Sequence, residues 1–231
     1  MTSSDYRSNK RQRPDLKYRA KPKPLAFLAD QREAESRSHC EMRTVLFQAT
    51  KTALADRAAI GSAQSIFWNA ASPTCRVVPD LFIRMGASDS GFDSWRTWDH
   101  GAPDVAVEIL SNTDGTELSW SQKLRAYHEL GIEELVRFDP IAPTDSLRIW
   151  DRVQEDLLER DLDGKTRAES VVLGLFWVVR TDPLLGPTLR LAKDDSGRRL
   201  FPTPTEWEMQ KRIEAEARVR ELEEKLRTAA K

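Results

Sequence analysis

The feature that most constrains the fold is the segment from Val105 to Leu110, which is apolar except for one carboxylate, Glu108. A nearly continuous apolar run of this length is typical of a strand that is buried on both faces of a sheet. An ionised carboxylate in such a strand costs roughly several kcal/mol unless it is paired or bound to a cation. The chain is therefore expected to build a sheet around this strand and to give Glu108 a partner.

The segments on either side of this strand predict a mixed α/β domain. Ser119 and Gln122 form a capping-box pattern, and Gly131 stands where a left-handed C-cap residue belongs, so a helix is expected between them. A longer helix is expected from about Gln31 to Arg57, where apolar residues recur without proline or glycine. Runs rich in β-forming residues predict further strands that begin near Pro79 and at 134–138, 147–150, 176–179 and near 188–191.

The two ends of the 231-residue chain differ in composition from this domain. The first 24 residues carry eight basic and two acidic side chains with almost no apolar content, which predicts a disordered basic arm over residues 1–30. Residues 31–204 are expected to form the α/β domain. Residues 205–231 predict a charged helix whose apolar positions alternate four and three apart for about two heptads. This helix could form a short coiled coil in a homodimer or remain solvated, and a face of the domain is another possible dimer contact.

Composition excludes several classes of protein and of site. The net charge of -1 gives no global electrostatic case for binding nucleic acid, so any such surface must be local. Two cysteines are too few for a disulfide framework and lack the spacing of a zinc site. The three histidines share no ligand spacing, and structural roles are expected for them. No apolar stretch is long enough to span a membrane, so we expect a cytoplasmic protein without membrane contact.

Two carboxylates are candidates for one metal site. Asp80 follows Pro79 at a predicted strand start and could converge with Glu108 on a divalent cation, to which the backbone carbonyl of Ile109 could add a third oxygen. Lys123, one turn before Tyr127 on the capped helix, could stabilise charge that develops on a phosphate.

The sequence also allows structural roles for these carboxylates. Asp80 could initiate a turn after the proline. Glu108 could form a salt bridge with Lys123 or Arg125. Asp104 and Tyr127 are accessory candidates for the site. Alternatively, Asp104 could act as a cap at the start of its strand and Tyr127 could pack in the core.

One ordered set of residues resembles a known family, and it consists of Pro79-Asp80, Glu108-Ile109-Leu110-Ser111, Lys123, Tyr127, Gly131, Glu134 and Asp139-Pro140. The pattern is similar to that of the bacterial Uma-two family of restriction-endonuclease-like proteins, within the PD-(D/E)XK nuclease superfamily, over roughly residues 35–204. The resemblance implies an α/β, restriction-endonuclease-like mixed central sheet flanked by helices. It also implies Mg²⁺ (or Mn²⁺) held by Asp80 and Glu108, and DNA as the substrate.

The sequence departs from the expected pattern at two positions. Family members often have an aspartate four residues before the helix lysine, where this chain has Ser119. The superfamily keeps a lysine two residues after the second carboxylate, where this chain has Leu110, so the lysine role would pass to Lys123. The first helix of the family can add an acidic residue, for which Glu41 is the first candidate and Glu35 the second.

Three functions are compatible with these residues. The chain could be a metal-dependent endonuclease that hydrolyses DNA phosphodiester bonds. It could also be a catalytically inactive nuclease-fold module that binds DNA or another partner. In the third, structural alternative the carboxylates only form buried ion pairs.

Overall fold

The computed structural model describes residues 36–111 and 118–229. The predicted basic arm over residues 1–30 and the candidate Glu35 lie outside these ranges. The helices are α1 (Arg37–Leu54), α2 (Thr97–His100), α3 (Trp120–Leu130) and α4 (Pro204–Ala229). The strands are β1 (Ala58–Gly61), β2 (Ile66–Phe67), β3 (Arg76–Val77), β4 (Leu81–Met85), β5 (Trp95–Arg96), β6 (Val105–Ile109), β7 (Glu134–Phe138), β8 (Leu147–Val153), β9 (Asp156–Glu159), β10 (Arg167–Ser170), β11 (Leu175–Asp182) and β12 (Gly186–Ala192).

A mixed six-stranded sheet forms the centre of the domain, in the order β1-β4-β6-β7-β8-β9. Strands β6 and β7 are parallel, and every other neighbouring pair in this sheet is antiparallel. All five residues of β6 are buried, which confirms the central strand expected from its apolar run. The predicted α/β class with a mixed central sheet and flanking helices is confirmed.

Helix α3 connects the parallel strands β6 and β7, and its ends follow the capping signals of the sequence. The Ser119 hydroxyl accepts a hydrogen bond from the Gln122 N–H while the Gln122 side chain accepts one from the Ser119 N–H. Gly131 ends the helix with a φ of 88°, in the left-handed region that glycine adopts without a Cβ penalty. These caps fix the register of the helix face that lies beside β6.

Helix α1 covers the other face of the sheet. Its first turn is capped by the Ser36 hydroxyl, which accepts a hydrogen bond from the His39 N–H, and the helix ends at Leu54. It ends before the predicted span does, because residues 55–57 form a single 3-10 turn, and residues 31–35 of that span lie outside the described residues. The three-stranded sheet β10-β11-β12 packs against α1 and shares its apolar core.

A second apolar core lies between the central sheet and α3. The short strands β2, β3 and β5 form a small sheet, with Trp95 buried beside Phe82 in this core. The turn-rich segment before β6 therefore contributes buried side chains to this core as well as forming a loop.

Helix α4 runs along the surface, and none of its residues is buried. Its apolar side chains include Val219, Leu222 and Leu226, which are all exposed. The homodimer through this helix stays a prediction. No helix in the described part of the chain combines the length and the apolar character that crossing a membrane requires.

Candidate functional site

Glu108 lies inside the central sheet and faces α3. Its neighbours Val107 and Ile109 belong to the core on the α1 side, so the alternation along a strand points Glu108 the other way. Lys123 Nζ donates to Glu108 Oε2 at 3.0 Å, and the Tyr127 hydroxyl donates to the other carboxylate oxygen. The salt bridge between Glu108 and Lys123, which was one of the alternatives open from the sequence, is present. It is compatible with both a structural and a catalytic role for Glu108.

The environment of Glu108 disfavours its ionised form. Burial is the largest influence and raises the pKa, the Lys123 ammonium lowers it, and the nearby Asp80 carboxylate raises it again. The result is a pKa of about 7. Burial thus outweighs the effect of the Lys123 ammonium, which is itself larger than the repulsion by Asp80, and an added positive charge at the site would favour ionised Glu108.

Asp80 immediately precedes β4 and is tied to the end of β6. The Ile109 N–H donates to Asp80 Oδ2 at 2.7 Å, and the Ser62 hydroxyl donates to the Asp80 carbonyl at 2.9 Å. Arg43 Nε of α1 is 3.8 Å from Asp80 Oδ1. The hydrogen bond from the residue after Glu108 holds the two carboxylates at the same end of the neighbouring strands β4 and β6.

His39 is a site residue that the sequence interpretation missed. Its Nε2 atom is 3.1 Å from Asp80 Oδ1 and 3.0 Å from the carbonyl oxygen of Ile109. The sequence did contain an indication that His39 faces the sheet, because it stands three and seven residues before the core residues Met42 and Leu46. A polar residue at the end of the apolar face of a helix points toward the sheet that this face covers, whereas Glu41 does not point toward the sheet.

Two of the accessory candidates have other partners. Glu41 pairs with the exposed Arg37 at 2.8 Å on the surface of α1. Asp104 precedes β6, about 13 Å along the strand direction from Glu108. It pairs with Arg84 at 2.8 Å and accepts a hydrogen bond from the Met85 N–H. Asp104 therefore has the structural role at the strand start that the sequence left open.

The donor chemistry of the site fits a hard divalent cation. Asp80 and Glu108 offer carboxylate oxygens, and Ile109 offers a backbone carbonyl at the same strand end. Mg²⁺ is often held by one or two carboxylates, with water and substrate oxygens completing its shell. Within residues 36–111 and 118–229, no group of three or more His, Cys, Asp or Glu side chains is gathered as a ready ligand cluster. The candidate set accordingly has two carboxylate side chains and one backbone oxygen.

Comparisons with known proteins place the chain in a family. No curated protein sequence matches it. A solved structure titled "Crystal structure of a putative nuclease belonging to DUF820 from Anabaena variabilis ATCC 29413" is 14% identical, with a TM-score of 0.46 over 63% of this chain and 78% of that chain. The model of the Uma2 family, described as "Putative restriction endonuclease", matches residues 31–182. Because this match spans well over half of the sequence, the chain belongs to the Uma2 family.

Proposed function

We propose that the protein is a metal-dependent endonuclease that hydrolyses phosphodiester bonds in DNA. The observation that carries the proposal is Glu108, a buried carboxylate with a raised pKa that lies beside Asp80 and is held by Lys123. Strongly perturbed carboxylates beside a charge partner are typical of functional sites. Membership in a family described as restriction endonucleases supports this chemistry.

Asp80, Glu108 and the carbonyl of Ile109 would hold Mg²⁺ or Mn²⁺. When bound, such an ion polarises a phosphate oxygen and makes a water molecule more acidic. The hydrogen bond from the Ile109 N–H to Asp80 Oδ2 positions that carboxylate before any ion arrives. This preorganisation reduces the rearrangement that binding requires.

Lys123 would stabilise the negative charge that grows on the phosphate, or orient the attacking water. Its ammonium carries three donors, of which one contacts Glu108 Oε2 at 3.0 Å. Only 14% of the Lys123 side chain is exposed, and a charge in such a place acts through a lower effective dielectric than in water. Tyr127 would act as a positioning residue, because its hydroxyl holds the second oxygen of Glu108.

DNA is the proposed partner, and a homodimer through α4 or a face of the domain belongs to the same proposal. One observation favours a second function, a nuclease-fold module that binds without cutting. The residue two positions after Glu108 is Leu110, where the superfamily pattern has its lysine.

The test is incubation of the purified protein with supercoiled, linear and single-stranded DNA, with Mn²⁺, with Mg²⁺ or with EDTA. Cleavage is expected only with a divalent ion, and Asp80→Ala, Glu108→Ala and Lys123→Met should abolish it. Glu129→Ala, on the exposed side of α3, is the matched control and should cut like the parent. Cleavage by Asp80→Ala and Glu108→Ala at the parental rate would refute the mechanism. Binding of DNA without cleavage under every condition would favour the module.

A further inference from the structure

His39 reaches the strand ends from the opposite side to Lys123. It lies in the first turn of α1, where the Ser36 hydroxyl caps its backbone N–H, and only 16% of its side chain is exposed. The neighbouring cation on the same helix face is Arg43, whose Nε is 3.8 Å from Asp80 Oδ1. The imidazole is thus held against Asp80 by the start of a capped helix.

The distances around His39 Nε2 match the spacing of ligands around a small divalent ion. Metal–ligand bonds of about 2.1 Å in an octahedron place neighbouring ligand atoms about 3.0 Å apart. His39 Nε2 is 3.1 Å from Asp80 Oδ1 and 3.0 Å from the Ile109 carbonyl oxygen. Both separations are those expected between neighbouring ligand positions of an octahedral shell.

We propose that His39 Nε2 is a metal ligand, which together with Asp80 and the Ile109 carbonyl forms one face of the coordination shell. The proposal rests on the metal site of the proposed function and not on DNA cleavage. It goes further by assigning a nitrogen donor to a site otherwise built from oxygen.

A nitrogen ligand changes which ion the site prefers. Mg²⁺ favours oxygen donors and parts reluctantly with its waters, whereas imidazole suits first-row transition ions. His39 therefore makes the site selective for Mn²⁺ and similar ions over Mg²⁺. A histidine that only bridges Asp80 and Ile109 by hydrogen bonds would give no such selectivity.

The deciding experiment is pulsed electron paramagnetic resonance of Mn²⁺ added to protein whose histidines carry ¹⁵N. The parent should show ¹⁵N hyperfine coupling from a directly bound imidazole, and His39→Gln should lose it. His128→Gln is the matched control, since His128 lies on the surface beside Asp156, and it should keep the coupling. Calorimetry should show Mn²⁺ affinity weakened by roughly tenfold or more in His39→Gln, with a much smaller change for Mg²⁺.

The outcomes separate this proposal from the proposed function. If the parent binds Mn²⁺, Asp80→Ala loses it and the parent shows no ¹⁵N coupling, His39 is not a ligand but the metal site stands. If the parent binds no Mn²⁺ at all, both the ligand and the metal-dependent function are wrong. The spectrum of the parent decides the ligand question even if His39→Gln fails to fold.

Discussion

Replacing Glu108 by glutamine should remove a pH dependence from the stability of the metal-free protein. The ordinary pKa of a glutamate is 4.5, and burial raises the pKa of Glu108 to about 7. Between these values the folded state binds a proton that the unfolded state has already released. Stability from this group is therefore fully present below pH 4.5 and is lost as the pH rises to about 7.

The magnitude follows from the size of the shift. One pKa unit corresponds to about 1.4 kcal/mol, so the shift of Glu108 implies a loss of about 3 kcal/mol in the free energy of unfolding across the window. In Glu108→Gln the side chain stays neutral at every pH, and this loss disappears. The difference between parent and variant should change by about 3 kcal/mol from pH 4.5 to pH 7.

Urea unfolding in EDTA at closely spaced pH values measures this difference, because titrations common to both proteins cancel. Glu129→Gln is the control, since Glu129 is exposed on the same helix, and its difference from the parent should stay constant. If the free energies of unfolding of the parent and of Glu108→Gln changed in parallel with pH, the raised pKa of Glu108 would be refuted. Added Mn²⁺ should flatten the decline in the parent, because a cation at the site favours ionised Glu108.

Three further predictions concern packing, backbone and association. Trp177→Phe should lower the free energy of unfolding by about 1–3 kcal/mol in urea, because the indole N–H donates at 2.7 Å to the fully buried Glu134. Gly131→Ala should cost about 1–2 kcal/mol by the same measurement, from its φ of 88° rather than from a clash, as the nearest atom to an added Cβ is 3.7 Å away. Leu222→Asp should weaken the predicted homodimer in sedimentation equilibrium, because Leu222 is exposed on α4 and would lie in the dimer contact.

The sequence predicted those elements whose residues carry local signals. The apolar run around Glu108 indicated β6, and the capping box with Gly131 indicated both ends of α3. The small sheet was not predictable, because strands of two residues such as β2 show no periodicity. Strand β9 was missed as well, since its Asp156–Glu159 pattern is largely exposed and charged at both ends.

Part of the candidate site depends on contacts between distant segments, which a single sequence does not display. Glu108 was predicted from the cost of burying a carboxylate, and Asp80 from its place after Pro79 at a predicted strand start. Their shared strand end follows from antiparallel pairing of β4 with β6. His39 is 70 residues from its partner Ile109, and only the packing of α1 on the sheet brings them together. Glu41 was the first acidic candidate in this helix, and it pairs with Arg37 on the surface of α1.

Leu110 stands where the resemblance led us to expect a lysine, and the geometry of the fold shows how Lys123 can take that place. Side chains two residues apart on a strand point to the same face, so a lysine at position 110 would lie on the same side of the sheet as Glu108. Helix α3 covers that side, and its caps place Lys123 at the same carboxylate. An ammonium can thus reach Glu108 from either the strand or the helix. With leucine at position 110, the positive charge beside Glu108 comes from Lys123 on α3.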